Sequence, residues 1–180
     1  QIGYPVALKV DSEQVVHKTD AGGVALNLAD QTELLDAFEQ MSAKFAEYQP
    51  AFVVQPYLAE GREVILGLKG NVNLQPTLMF GLGGLFVETL KDVQFRLTPL
   101  STQEADELIR SIKGYPLLEG LRGEQPGDRE QLREIMIRLS QLGADFAEEL
   151  DEMDLNPVLV FNEGLGCSVV DARLKLKSHG

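Results

Sequence analysis

The chain has 180 residues, 44% of them hydrophobic, and carries 28 acidic against 16 basic side chains for a formal net charge of −12. That length and composition suit one ordinary core or two closely packed lobes. The acidic balance excludes a typical nucleic-acid binder, whose affinity rests on clustered Lys and Arg, so any phosphate ligand must be held locally by a few cations, backbone N–H groups and metal ions.

The segment PVALKV at 5–10 predicts a strand, and VALNL at 24–28 predicts a second, joined to the first through the loop VVHKTDAGGV. Asp30 is a good N-cap for the block that follows, in which Leu34, Leu35, Phe38, Met41 and Phe45 fall at helical spacing; this amphipathic helix is expected to end before Pro50. Strands are expected at 51–57, 62–68, 76–80 and 93–98, with the Gly-rich stretch before the last of these fitting no single element. Ser101 with Glu104 three residues on makes a capping-box pattern and starts a helix over 101–112. A further helix runs from Asp128 to about 142, because Leu132, Ile135, Met136, Leu139 and Leu142 share one face. Two closing strands, 153–161 and 167–176, flank NEGLG, which suits a hairpin turn. The order reads as α+β with largely antiparallel pairing.

No apolar run approaches the roughly 20 residues that span a bilayer, so no transmembrane helix is expected. The chain lacks the pattern of a secretory signal and does not begin with Met, as if cut from something longer. Cys167 is the single cysteine, which rules out an internal disulfide and a cysteine-rich metal site and fits a reducing cytoplasm.

Several stretches bear chemistry. Lys9 is a lone cation in an apolar strand; it reads either as an anion contact or as a strand-end lysine snorkelling to the edge. In FVVQPYLAEGREVILG a strand runs into Gln55, Pro56, Tyr57 and Leu58, turns at Glu60-Gly61 and resumes at Arg62-Glu63. Pro56 removes a ladder donor and leaves neighbouring backbone groups and the Gln55 amide free for a planar base, with Glu63 an acceptor for ribose hydroxyls; the alternative is an ordinary hairpin. Gly81, Gly83 and Gly84 permit close backbone approach but match neither a P-loop nor a dinucleotide fingerprint. Asp154 and Asn156 are two apart on a strand and so share a face, and hairpin pairing would set Asp171 opposite them. Two carboxylates and an amide oxygen suit Mg²⁺, which leaves other positions to water and phosphate; a solvated acidic face is the duller reading. His17 is able to hold a phosphoryl group transiently, and Gly22-Gly23 after it gives the loop freedom to move; a solvated loop histidine is the alternative.

In this order, GYPVALKV, VVHKTDAGGV, VVQPYLAEGREVILG, MFGLGGLFVETLKDVQFRLTPL, LLEGLRG and EMDLNPVLV with VVDARLKL closely resemble the ATP-grasp domain of the NDP-forming acyl-CoA synthetases, relatives of the succinyl-CoA synthetase β subunit. The resemblance spans nearly the whole chain. It implies an ATP-grasp fold of two α+β lobes with mainly antiparallel sheets: a smaller nucleotide-binding lobe over about 1–60 and a larger lobe with the metal site over about 61–180. It further implies ATP or ADP with Mg²⁺ as cofactors, Lys9 on nucleotide phosphates, Gln55 to Leu58 as the adenine hinge, and Glu63 near the ribose. Asn156 and Asp171 match the family's magnesium ligands, with Asp154 where relatives carry an acid. His17 matches the histidine of the family's HKSD segment, with Thr19 in place of Ser, and would pass a phosphoryl group from a second phosphohistidine to ADP. Gly22, Gly23, Glu88, Asp92 and Arg96 are assigned to loop positioning or phosphate contact.

Two departures stand out. The helical segment that precedes GYP in the family is missing, as are the CoA-binding and ligase parts, so the fragment alone is expected not to complete the reaction. The resemblance also admits a second function, a regulatory ATP-grasp-like domain of a protein-lysine acetyltransferase fused to a synthetase-like region. A third, unrelated to it, is an α+β interaction module with no nucleotide site. The implied partners are the nucleotide and the CoA-binding and ligase domains or subunit of the same enzyme, with no nucleic acid and no membrane.

Overall fold

The computed structural model describes residues 2–12, 14–15, 18, 21–71, 74–84, 92–121 and 123–177. The chain divides into two compact units, Gln1–Ala59 and Glu60–Gly180.

The first unit is a three-stranded antiparallel sheet under one helix. Strand β1 (Val6–Asp11) lies between β2 (Val24–Leu28) and β3 (Ala51–Pro56). As the central strand it is buried over its first five residues, which is why it reads as nearly continuous apolar sequence. Val6, Leu8 and Val10 project to one face and pack with Met41 and Phe45 of helix α1 (Gln31–Lys44) and the turn that follows it. The Asp30 carboxylate caps α1, accepting from the N–H groups of Thr32 at 2.8 Å and Glu33 at 3.0 Å. The expected helical block splits, α1 ending at Lys44 and a 3₁₀ turn occupying Ala46–Tyr48.

The second unit is a larger antiparallel sheet with helices on one face. Its strands are β4 (Arg62–Lys69), β5 (Thr77–Leu82), β6 (Val93–Leu97), β7 (Leu150–Val160), β8 (Cys167–Val169) and β9 (Ala172–Leu176), arranged β6-β5-β4-β7-β8 with β9 also on β7. Leu66, Leu68, Leu78 and Phe80 meet Leu108 and Ile109 of α2 (Thr102–Ser111) and Leu132 and Met136 of α4 (Arg129–Asp145) in a single core. Gly143 lets α4 come down on the sheet, since a Cβ there would stand 2.9 Å from Leu68 Cδ2. The Ser101–Glu104 capping box is fully formed. A short helix the periodicity does not reveal, α3 (Tyr115–Glu119), begins after Gly114 and places Leu118 in the core. Five residues are too few for a 3.6-residue repeat to register.

Asp92 belongs to this scaffold. It is 4% exposed and its carboxylate accepts from the N–H of Lys113 at 2.8 Å and of Gly114 at 2.7 Å, fixing the turn into α3. Asp92→Ala leaves two N–H groups unmatched and is expected to cost about 2–3 kcal/mol, read as a lower urea midpoint.

The second closing strand departs from expectation by breaking in two around Val170-Asp171. Opposite the break stands Pro157, which has no N–H to continue the ladder. Its carbonyl still accepts from Val170 N at 3.0 Å, and Asn156 N donates to Asp171 O at 3.1 Å. No helix among the described residues is long and apolar enough to cross a membrane.

Candidate functional site

Within the first unit, strand alternation sends Lys9 to the face that α1 leaves uncovered. Its cross-strand neighbours are Val24 and Val53, and it is 8% exposed. Gln55 shares this face, paired opposite Ala7. Beyond it, Pro56 ends β3 as expected of a residue without a donor, and Tyr57 N reaches Pro5 O at 3.0 Å. The Gln55 amide makes no hydrogen bond among the described residues, and Leu58 is exposed. Lys9 and Gln55 are therefore brought to one sheet face.

His17 lies outside the described residues. The described end of its loop is tied back to β1: Gly23 N donates to Lys18 O at 2.6 Å, and Gly23 O accepts from Val10 N at 2.8 Å. Gly22 has φ +68, and a Cβ there would meet Lys44 Nζ at 2.7 Å, so the Gly-Gly pair is the turn that returns the loop to the sheet.

In the second unit, Glu63, Ile65, Gly67 and Lys69 alternate onto the sheet face away from the helices. Gly83 N donates to Glu63 O at 2.7 Å, and Gly84, at φ +60, lies so close that an added Cβ would be 2.8 Å from Glu63 Oε2. These glycines are needed for packing against Glu63. Glu88 lies outside the described residues. Arg96 is opposite Leu78, a core residue, and thus stands on the helix-covered face, where its charge acts on Glu104. The structure does not bring it to the face that bears Asp154.

That face is marked by the row Phe95, Met79, Gly67, Asp154 and Arg173, one residue from each of five adjacent strands. Asn156 follows Asp154 on the same face of β7, and its N–H bond to Asp171 sets Asp171 directly across from it. Half-burial pushes the Asp154 carboxyl above its ordinary value, the charges of Glu152 and Asp171 push it the same way, and Arg173 opposes them. A half-buried carboxylate crowded by like charges is a place where a cation lowers the energy. Among the described residues no three His, Cys, Asp or Glu side chains are grouped to hold a metal by themselves. The grouping here is two carboxylates and an amide oxygen, all hard donors, and it fits Mg²⁺ with its other positions left to water and phosphate.

Arg173 joins these residues without any motif to mark it; the signal that points to it is the D-x-R spacing with Asp171, which puts the two on the same strand face. Cys167 takes no part: burial, then the nearby Asp128 charge, pushes its thiol up to about 12, so it stays protonated at neutral pH.

A two-unit α+β chain with this arrangement on its larger sheet has the ATP-grasp fold. The chain matches the ATP-grasp domain family over residues 1–176 and belongs to it. It is similar to the acetate–CoA ligase (ADP-forming) II subunit beta of Pyrococcus furiosus, at 43% identity over 182 residues, covering 98% of this chain and 77% of that one. It is 45% identical to the 4-hydroxybutyrate–CoA ligase (ADP-forming) of Nitrosopumilus maritimus, but spans only 26% of that protein's length. The dinucleotide-forming acetyl-coenzyme A synthetase 1 of Candidatus Korarchaeum cryptofilum superposes with a TM-score of 0.83 at 43% identity, covering 97% of this chain and 78% of that one. That structure holds coenzyme A and Mg-AMPPCP, with a phosphohistidine segment pointing towards the nucleotide binding site.

Proposed function

We propose that this chain is the nucleotide-binding part of an ADP-forming acyl-CoA synthetase, a cytoplasmic enzyme that interconverts acyl-CoA, ADP and phosphate with acid, ATP and CoA. The relatives' names support the reaction class. The observation that carries the reading is the Asn156–Asp171 pairing, which sets two carboxylates and an amide on one face. Asp154, Asn156 and Asp171 would hold Mg²⁺, and when bound it would neutralise and orient polyphosphate oxygens. Lys9 is a phosphate contact, Gln55 to Leu58 receive the adenine, and Glu63 accepts from the ribose hydroxyls. His17 takes a phosphoryl group from a donor phosphohistidine, as a P–N bond forms at the imidazole and the donor's breaks. An ADP β-phosphate oxygen then attacks phosphorus and His17 leaves. The first phosphohistidine, the CoA site and the acyl site belong to partner domains or a partner subunit.

The experiment is Asp171→Asn in the full-length enzyme. Loss of one charged donor is expected to raise the Mg²⁺ concentration for half-maximal activity at least about tenfold, with ADP affinity in the absence of metal unchanged. Superimposable Mg²⁺ titrations for the two proteins would remove the metal assignment.

A further inference from the structure

Charge accounting on the Asp154 face leaves a deficit. Two carboxylates balance one divalent cation, so a bound nucleotide's polyphosphate needs positive charge from elsewhere. Three cations stand on this face among the described residues: Lys69 on β4, and Arg173 and Lys175 on β9. Two are committed. Lys69 Nζ pairs with Asp151 Oδ1 at 3.3 Å and Glu152 Oε2 at 3.0 Å, and Lys175 Nζ pairs with Asp151 Oδ2 at 2.7 Å. Even Lys177 beyond the strand donates to Ala147 O at 2.7 Å. The Arg173 side chain alone of these makes no hydrogen bond or close ion pair among the described residues; its charge acts on the Asp154 carboxyl opposite, and it is exposed.

Its position is as specific as its freedom. Arg173 lies directly across from Asp154, two pairs along from the Asn156–Asp171 contact, and alternation sets it beside Asp171 on the same face. A guanidinium offers a planar fork of donors that matches two phosphate oxygens, which an ammonium does not.

We propose that Arg173 is a nucleotide-phosphate contact, its guanidinium gripping polyphosphate oxygens next to the ion held by Asp154, Asn156 and Asp171. The inference rests on the nucleotide-binding reading above and adds a residue to it. The test compares full-length wild type, Arg173→Gln and Arg173→Lys by calorimetry with ADP and Mg²⁺, by Mn²⁺ binding without nucleotide, and by thermal melting. Arg173→Gln is expected to weaken ADP binding with Mg²⁺ about 10- to 100-fold, the range of a lost charge-assisted pair, with Arg173→Lys between it and wild type. Mn²⁺ affinity without nucleotide and the melting temperature should hold, and in turnover the loss should fall on KM for ADP more than on kcat. ADP affinity within about twofold of wild type for Arg173→Gln overturns the proposal, as does a loss matched by equal losses in Mn²⁺ binding or folding. Wild-type enzyme that shows no metal-dependent ADP binding overturns the nucleotide reading itself, a result distinct from failure at Arg173 alone.

Discussion

In the full-length enzyme, His17→Asn is expected to lower turnover at least about 10⁴-fold, the scale of loss when a covalent nucleophile is removed, while ADP affinity stays near that of the parent. Asparagine approximates the size of the imidazole but has no basic nitrogen to bond phosphorus. The groups assigned to nucleotide binding lie elsewhere in the chain, Lys9 and Gln55 on the first sheet and Asp154, Asn156 and Asp171 on the second, so binding should survive. Incubation with acyl-CoA and labelled phosphate separates the steps. The variant should accumulate label on the donor histidine and none on ADP, whereas ATP formation at the wild-type rate would end the relay assignment.

The largest structural effect is expected at Asp128, a residue without a chemical role. It is 5% exposed, and its Oδ1 accepts from Gln131 N at 3.0 Å, capping α4. Its Oδ2 accepts from Gly164 N at 3.0 Å and Gly166 N at 2.9 Å, tying the β7–β8 turn to the helix. Asn in its place presents a donor where two N–H groups already point, and Ala leaves three unmatched. Asp128→Ala is expected to cost about 3–4 kcal/mol and roughly 10 °C in melting temperature, with hydrogen exchange at Gly164 and Gly166 accelerating first.

The pH dependence at Asp128 has a definite sign. Burial pushes the carboxyl up, but the bonds from Gln131, Gly166 and Gly164 outweigh it, and the folded value lies below the ordinary aspartate value. A depressed folded pKa contributes stability that is present above the unfolded value and is lost as the pH falls through the folded one. The gap between wild type and Asp128→Ala should therefore be widest at neutral pH and narrow in acid. A gap independent of pH would show that the carboxylate's charge contributes nothing.

Local physics made much of this chain legible. The helices that start at Asp30 and Ser101 form where their caps predict, because a capping carboxylate or hydroxyl acts within three residues of itself. Strand positions followed from β-branched runs between turn residues, and a period of two was enough to put Asp154 and Asn156 on one face. The order of motifs supplied the family. What the sequence could not decide was which long-range partner each strand would take. Hairpin pairing put Asp171 opposite Asn156 as expected, but only the register of β7 against β9 set Arg173 opposite Asp154, and only the register of β5 against β6 turned Arg96 to the helices. The buried acids show the same limit: Asp92 and Asp128 read as candidate or ordinary polar residues until folding delivered N–H groups from more than 20 and 30 positions away. Caps and alternation are local properties of the backbone, whereas register and burial depend on contacts between residues far apart in the chain, which only the folded state brings together.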